Sequence, residues 1–206
     1  MSDSPATTAV LDIAQLRQAE DTAAWVLEEA KRQGADGVEV NVSLSQGYSV
    51  NVRQGEVETV EFHRDRGVSV TVFRGQRKGH ASSSDDNRDS LRDTIQAAAS
   101  IARYTEEDRY AGLAPASMLA REVPDLDLYH PWAMDTQAAI DEALRCETVA
   151  RNDARIVNSE GASINSGASL RVFATSEGFL HGYRGTHHSR AVSYTHLRAH
   201  ETGRNL

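Results

Sequence analysis

The chain has 206 residues, a formal net charge of −8, 39% hydrophobic residues and one cysteine. That length allows one large domain or two small ones, and the acidic balance argues against a nucleic-acid surface, which needs a basic stripe. One cysteine, Cys146, excludes an intrachain disulfide, and no stretch approaches the roughly 18 apolar residues of a membrane span. A cytoplasmic protein with no nucleic-acid or membrane partner is the expectation.

Residues 11–33 are expected to form a helix. Ile13, Leu16, Ala19, Ala23, Val26, Leu27 and Ala30 make one stripe at steps of three and four, and Gly34 follows the basic pair Lys31-Arg32. The period then changes to two. Val38, Val40, Val42 and Leu44 predict a strand, Gln46-Gly47 a turn, and Tyr48, Val50 and Val52 a second strand. Gln54-Gly55 turns the chain again. Residues 57–63 and 68–72 predict two further strands, and 80–84 a short fifth one, after the two-glycine stretch 74–79. A second helix is expected from about Asn87 to Arg103, with Leu91, Ile95, Ala98, Ile101 and Ala102 inward. Residues 104–133 hold three of the four prolines and no period, as a connector would.

Asp135 is a good N-cap for a third helix with Ala139, Ile140, Ala143, Leu144 and Ala150 facing inward. Strands are expected at 155–158, 162–165, 170–174 and 179–185. Ser159-Glu-Gly161 and Ser176-Glu-Gly178 read as the same turn twice, with each glycine at positive φ. The expected fold is α+β, two successive modules of helix plus antiparallel meander. Residues 9–105 form the first, 106–133 the connector and 134–190 the start of a second, truncated one.

Residues 191–206 are set apart. Val192-Ser-Tyr-Thr-His-Leu-Arg-Ala-His-Glu-Thr202 is what a transposase-type sequencing adapter encodes in one frame. The natural chain is therefore expected to break off near Arg190. His196 and His200, four apart and followed by Glu201, have a zinc-like spacing that the adapter already explains, so no ligand is assigned there.

Each remaining candidate for chemistry has a plainer structural reading. The basic, hydroxyl-rich run 74–84 resembles a phosphate cradle but sits in a hairpin. Asp125, Asp127 and His130 lie in an alternating connector, where Leu126 and Leu128 are expected to pack down. His181 and Tyr183 share a strand face, expected to be a wet sheet face, and the adjacent His187 and His188 point opposite ways. Cys146 sits mid-helix without a base beside it, and none of the serines at 82–84, 159, 163 and 166 lies in a Gly-x-Ser-x-Gly elbow. No catalytic, cofactor-binding or metal-binding residue is assigned.

Six segments in order resemble the PmbA (TldE) branch of the TldD/PmbA family. They are Gly55-Glu-Val-Glu-Thr-Val-Glu-Phe62, Gly67-Val-Ser-Val-Thr-Val-Phe73, Arg77-Lys-Gly-His-Ala-Ser-Ser-Ser-Asp85, Ile101-Ala-Arg-Tyr-Thr105, Pro124-Asp-Leu-Asp-Leu-Tyr-His-Pro131 and Asn158-Ser-Glu-Gly-Ala-Ser-Ile-Asn-Ser166. The resemblance runs from the first helix to about Ser189. It implies a cytoplasmic two-protein peptidase complex acting on extended peptides in proteolysis or peptide maturation. In such a complex a TldD-type subunit carries zinc on a His-Glu-x-x-x-His motif, and the PmbA-type subunit pairs with it without that motif. No His-Glu pair occurs here before residue 190, so zinc is expected in the partner and not in this chain. A non-enzymatic module that binds peptides by lending sheet edges is the other reading.

Overall fold

The computed structural model describes residues 10–196. In chain order it forms α1 (Ile13–Arg32), β1 (Gly37–Arg53), β2 (Glu56–Arg74), β3 (Arg77–Ser83), α2 (Arg88–Tyr104), α3 (Thr136–Arg151), β4 (Ile156–Thr175) and β5 (Leu180–His196). One 3₁₀ turn, Ala116–Met118, interrupts the connector between α2 and α3. The strands make one antiparallel sheet in the order β3-β2-β1-β4-β5, so the fold is α+β.

The helices follow their sequence signals. Asp12 caps α1 in a reciprocal capping box with Gln15, and Asn87 and Asp135 accept N–H bonds at the starts of α2 and α3. All three lie on one face of the sheet. Beneath α1 and α2, Val38, Val40, Val42, Val68, Val70, Val72, Leu170 and Val172 form the main cluster with Val26, Leu91 and Ile95. Farther along the same strands, Tyr48, Val50, Val52, Ala162 and Ile164 pack under Ala139 and Ala143 of α3. The alternate positions, among them Asn41, Ser43, Ser49, Ser163 and Asn165, form the opposite, polar face.

The two expected meanders are thus one sheet, because β1 pairs along its length with both β2 and β4. Four expected breaks are absent, one of them at 166–169, which β4 spans without interruption. Gln46-Gly47 is no turn: Gly47 lies mid-strand between His63 and Gly167. A Cβ there would stand 2.4 Å from the Ser166 carbonyl oxygen, so this glycine permits close approach of neighbouring backbone. Residues 57–63 and 68–72 belong to the single strand β2, which runs straight through Gly67. Ser159-Glu-Gly161 lies inside β4, where the register slips by one residue. Gly161 does have a positive φ of 109°, but it serves a bulge. The other copy is a true turn, with Gly178 at φ 96° between β4 and β5.

Strand β5 continues through Ala191–His196, residues read from the sequence as adapter-encoded, and pairs them with Ile156–Ser163 of β4. Backbone pairing is largely indifferent to side-chain identity, so a ladder can extend over such a stretch. Among the described residues no helix is long and apolar enough to cross a membrane.

Candidate functional site

The most elaborate side-chain arrangement surrounds Glu147 on α3. Its carboxylate has no exposed surface, yet three donors meet it: the backbone N–H groups of Gln54 (2.7 Å) and Gly55 (2.8 Å) and the hydroxyl of Ser159 (2.5 Å). Arg151 stands 3.9 Å away. Gln54 and Gly55 both have positive φ, as a two-residue turn joining twisted strands requires. Burial alone would raise the pKa of Glu147. The Ser159 hydroxyl, the Gly55 and Gln54 amides and Arg151 outweigh it, and the carboxyl sits below its ordinary range. Sequence reasoning missed this residue. The available signal was one acid at the step after Ala139 and Ala143 in the inward stripe of α3.

A second arrangement fastens the connector to β5. Ser166 Oγ lies 2.9 Å from His188 Nδ1, and His188 Nε2 lies 2.9 Å from the His130 carbonyl oxygen. The carbonyl can only accept, so Nε2 carries the proton and Ser166 donates to Nδ1. The Trp132 ring packs 5.2 Å from the imidazole, and Thr186 N–H donates to the Leu128 carbonyl. A serine and a histidine are paired here, but Ser166 is buried and the far nitrogen faces a carbonyl instead of a carboxylate. The pair is built as a clip, with no orienting acid for a nucleophile. Nearby, Tyr48 donates to the Met134 carbonyl. Burial raises its pKa, Ser166 opposes that, and Asp135 adds to it.

The strap that the clip holds encloses a groove of about 660 Å³ against the start of α1 and the head of β5. Ile13, Leu16, Leu126 and Leu128 line it, together with Tyr183 and Arg184. Leu126 and Leu128, expected to pack down, are instead 66% and 45% exposed. Tyr129 takes the inward place: its hydroxyl accepts the Leu11 N–H at 2.7 Å, and the Arg184 guanidinium lies 4.1 Å over its ring. A fully buried backbone donor at Leu11 needs that partner, which fixes the phase of the strap.

Of the other sequence candidates, Asp125, Asp127, His181 and Tyr183 all border this groove, and the rest lie elsewhere. Asp125 and Asp127 close a local turn with His130, whose Nε2 meets the Asp127 carbonyl at 2.8 Å. The 74–84 run is the β2–β3 hairpin, with Gly75 at φ 56°, and the α2 N-terminus is already capped by Asn87. His181, Tyr183 and His187 are on the polar face, while His188 points to the helix side. Cys146 is half-buried, with Sγ 3.8 Å from Glu142 Oε1. His196 ends the described part of β5, and His200 and Glu201 lie outside the described residues. Among the described residues no group of three or more His, Cys, Asp or Glu converges as a metal site, so these residues do not fit a zinc ion.

Comparison with known proteins places these elements. Residues 38–102 match the description PmbA/TldA metallopeptidase domain 1, and residues 129–203 match the PmbA/TldA metallopeptidase central domain. The second match passes Ser189, beyond the expected end of the resemblance. The chain is 45% identical to Metalloprotease PmbA of Escherichia coli O157:H7 over 85% of its own length and 39% of that protein. It is 38% identical to the Metalloprotease PmbA homolog of Haemophilus influenzae over 91% of its length and 41% of that protein. It therefore spans about two fifths of the length of these two curated relatives. In fold it is similar to crystallised TldE from Thermococcus kodakarensis. The TM-score is 0.69 at 15% identity, over 86% of this chain and 40% of that one.

Proposed function

The chain belongs to the PmbA/TldD metallopeptidase family, and from that premise we propose that it forms the N-terminal part of a subunit that works in the cytoplasm beside a zinc-bearing, TldD-type partner. This subunit itself supplies no metal ligand and acts in proteolysis or maturation of extended peptides. The observation that carries the reading is the 45% identity to a PmbA protein across 85% of the chain, accompanied by a fold like that of a TldE protein.

The described residues suggest how such a subunit contributes without chemistry of its own. A sheet backed by helices on one side only is half of an enclosure, and a related subunit can supply the other half through pseudo-twofold pairing. Glu147 and the His188 clip keep the walls of that half rigid, and restriction of access to unfolded or extended chains then follows from geometry. Zinc and the general base reside in the partner.

The test uses the full-length protein from the source organism, purified alone and with a TldD-type protein from the same organism. Peptide cleavage is followed with and without a chelator. The proposal expects co-purification and chelator-sensitive cleavage only when both are present. Chelator-sensitive cleavage by the full-length protein alone would overturn the non-catalytic assignment, and failure to associate would overturn the complex.

A further inference from the structure

The helix-side face of β2 changes character along the strand. Val72, Val70 and Val68 are buried there, and the next two positions on that face are Arg66 and Arg64. A cavity of about 90 Å³ opens at this change, between α1 and the sheet. Its floor is apolar, made by the buried side chains of Val42, Val68 and Leu170. Ala19 and Thr22 of α1 roof it, and the Thr22 hydroxyl already donates to the Gln18 carbonyl. The rim is polar and rich in donors. Gln15 uses its Oε1 on the Asp12 N–H, which leaves its Nε2 as a donor beside Gln18, Arg64 and Arg66. Asp86 is the one carboxylate among the described lining residues, and Arg66 meets it at 2.6 Å through a single nitrogen. Among the described residues Arg64 has no hydrogen bond or ion pair. Two guanidinium groups against one carboxylate leave a positive charge in excess, in a chain whose formal net charge is −8. Every wall comes from α1, β1, β2, β4 and the loop entering α2, so nothing after Leu170 shapes the cavity.

We propose that this cavity takes the C-terminal residue of a peptide, with a small aliphatic side chain on the floor and the α-carboxylate between Arg64 and the remaining N–H groups of Arg66. Guanidinium groups bind carboxylates through paired, charge-assisted N–H bonds, and Arg64 has all of its donors to offer. The apolar floor selects this ligand over an inorganic anion. A space of about 90 Å³ holds roughly three waters, which is the bulk of a side chain such as that of valine. A phosphate at the rim would leave Val42, Val68 and Leu170 facing water, whereas an aliphatic side chain covers them. Naming a peptide as the source of the carboxylate rests on the peptidase reading. Under it, a subunit without zinc holds an extended chain by its free end.

Calorimetric titration of the full-length protein from the source organism, purified without a partner, tests the site apart from cleavage. The probes are acetyl-Ala-Ala-Val as free acid and as C-terminal amide, acetyl-Ala-Ala-Trp as free acid, and inorganic phosphate. The acid ending in valine should bind with a Kd below about 1 mM, and about tenfold or more tighter than its amide. The acid ending in tryptophan should bind no better than that amide, because its ring exceeds the cavity. Arg64→Gln should abolish the preference for the acid, and Arg64→Lys should restore part of it. Arg64 is exposed, so both variants should keep the circular dichroism spectrum and melting of the parent. Equal binding of acid and amide, a preference untouched by Arg64→Gln, or binding of phosphate in place of the peptide would overturn the proposal. A preference for the acid that persists in a protein inactive beside its TldD-type partner would overturn the peptidase reading and leave this site standing.

Discussion

Ser159 donates its hydroxyl to Glu147 across 2.5 Å, and both residues are buried. The bond joins the bulge of β4 to α3, while the other Glu147 contacts hold the β1–β2 turn. One carboxylate therefore organises three chain segments. Glu147→Gln keeps the shape but brings two donors to a site built of donors. It should cost about 3 kcal/mol, read as a shift in the denaturation midpoint.

The same carboxylate has a pH signature. Its folded pKa lies below the ordinary value of 4.5. Its stabilisation is therefore present above that value and is lost as pH falls through the folded pKa. Unfolding free energy should decline more steeply between about pH 5 and pH 3 in the parent chain than in Glu147→Gln. Parallel curves would show that Glu147 is not held as an ion.

Two glycines facing each other in mid-sheet should behave differently. A Cβ on Gly47 meets backbone at 2.4 Å, whereas one on Gly167 meets nothing nearer than 3.6 Å. Gly47→Ala should cost about 3 kcal/mol or more through forced backbone movement, and Gly167→Ala should stay within about 0.5 kcal/mol. Paired thermal melts decide this. Equal effects would return Gly47 to the role of a turn residue.

The strap is expected to loosen in steps. Tyr129→Phe leaves the buried Leu11 N–H without its acceptor, for a loss of about 1–2 kcal/mol. His188→Ala removes the clip and uncovers Trp132. In a Trp25→Phe background, tryptophan emission should shift to the red and amide exchange at His130 should quicken. An unchanged spectrum would show that the connector is held by its other contacts.

The helices were legible because their signals are local. Asp12, Asn87 and Asp135 sit where caps belong, and Leu91, Ile95 and Ala98 repeat at helical spacing. The strands were legible in type but not in length. A glycine at a turn and a glycine where two backbones crowd look the same in one dimension. Gly178 was read correctly, whereas Gly47 and Gly161 were each given a turn that the sheet does not make. Glu147 was illegible for a related reason: its partners, Gln54 and Ser159, lie 93 and 12 positions away, and two of its three close bonds are to main chain. Tyr129 was passed over because Leu126 and Leu128 carry the stronger hydrophobic pattern, while a buried N–H at Leu11 decides which side chain turns inward.

The central place of β1 has a consequence for synthesis. Its first neighbour follows after a two-residue turn, but its second is β4, reached only after α2, the connector and α3. On a ribosome adding 5–20 residues per second, the roughly seventy residues between the end of α2 and the end of β4 take roughly 4–14 s. Throughout that interval the nascent sheet is three strands wide and β1 is its margin, with a valine-rich ladder open to any extended chain nearby. Non-local closure of this kind is slow, and the vulnerable moment in the life of this protein is before β4 arrives.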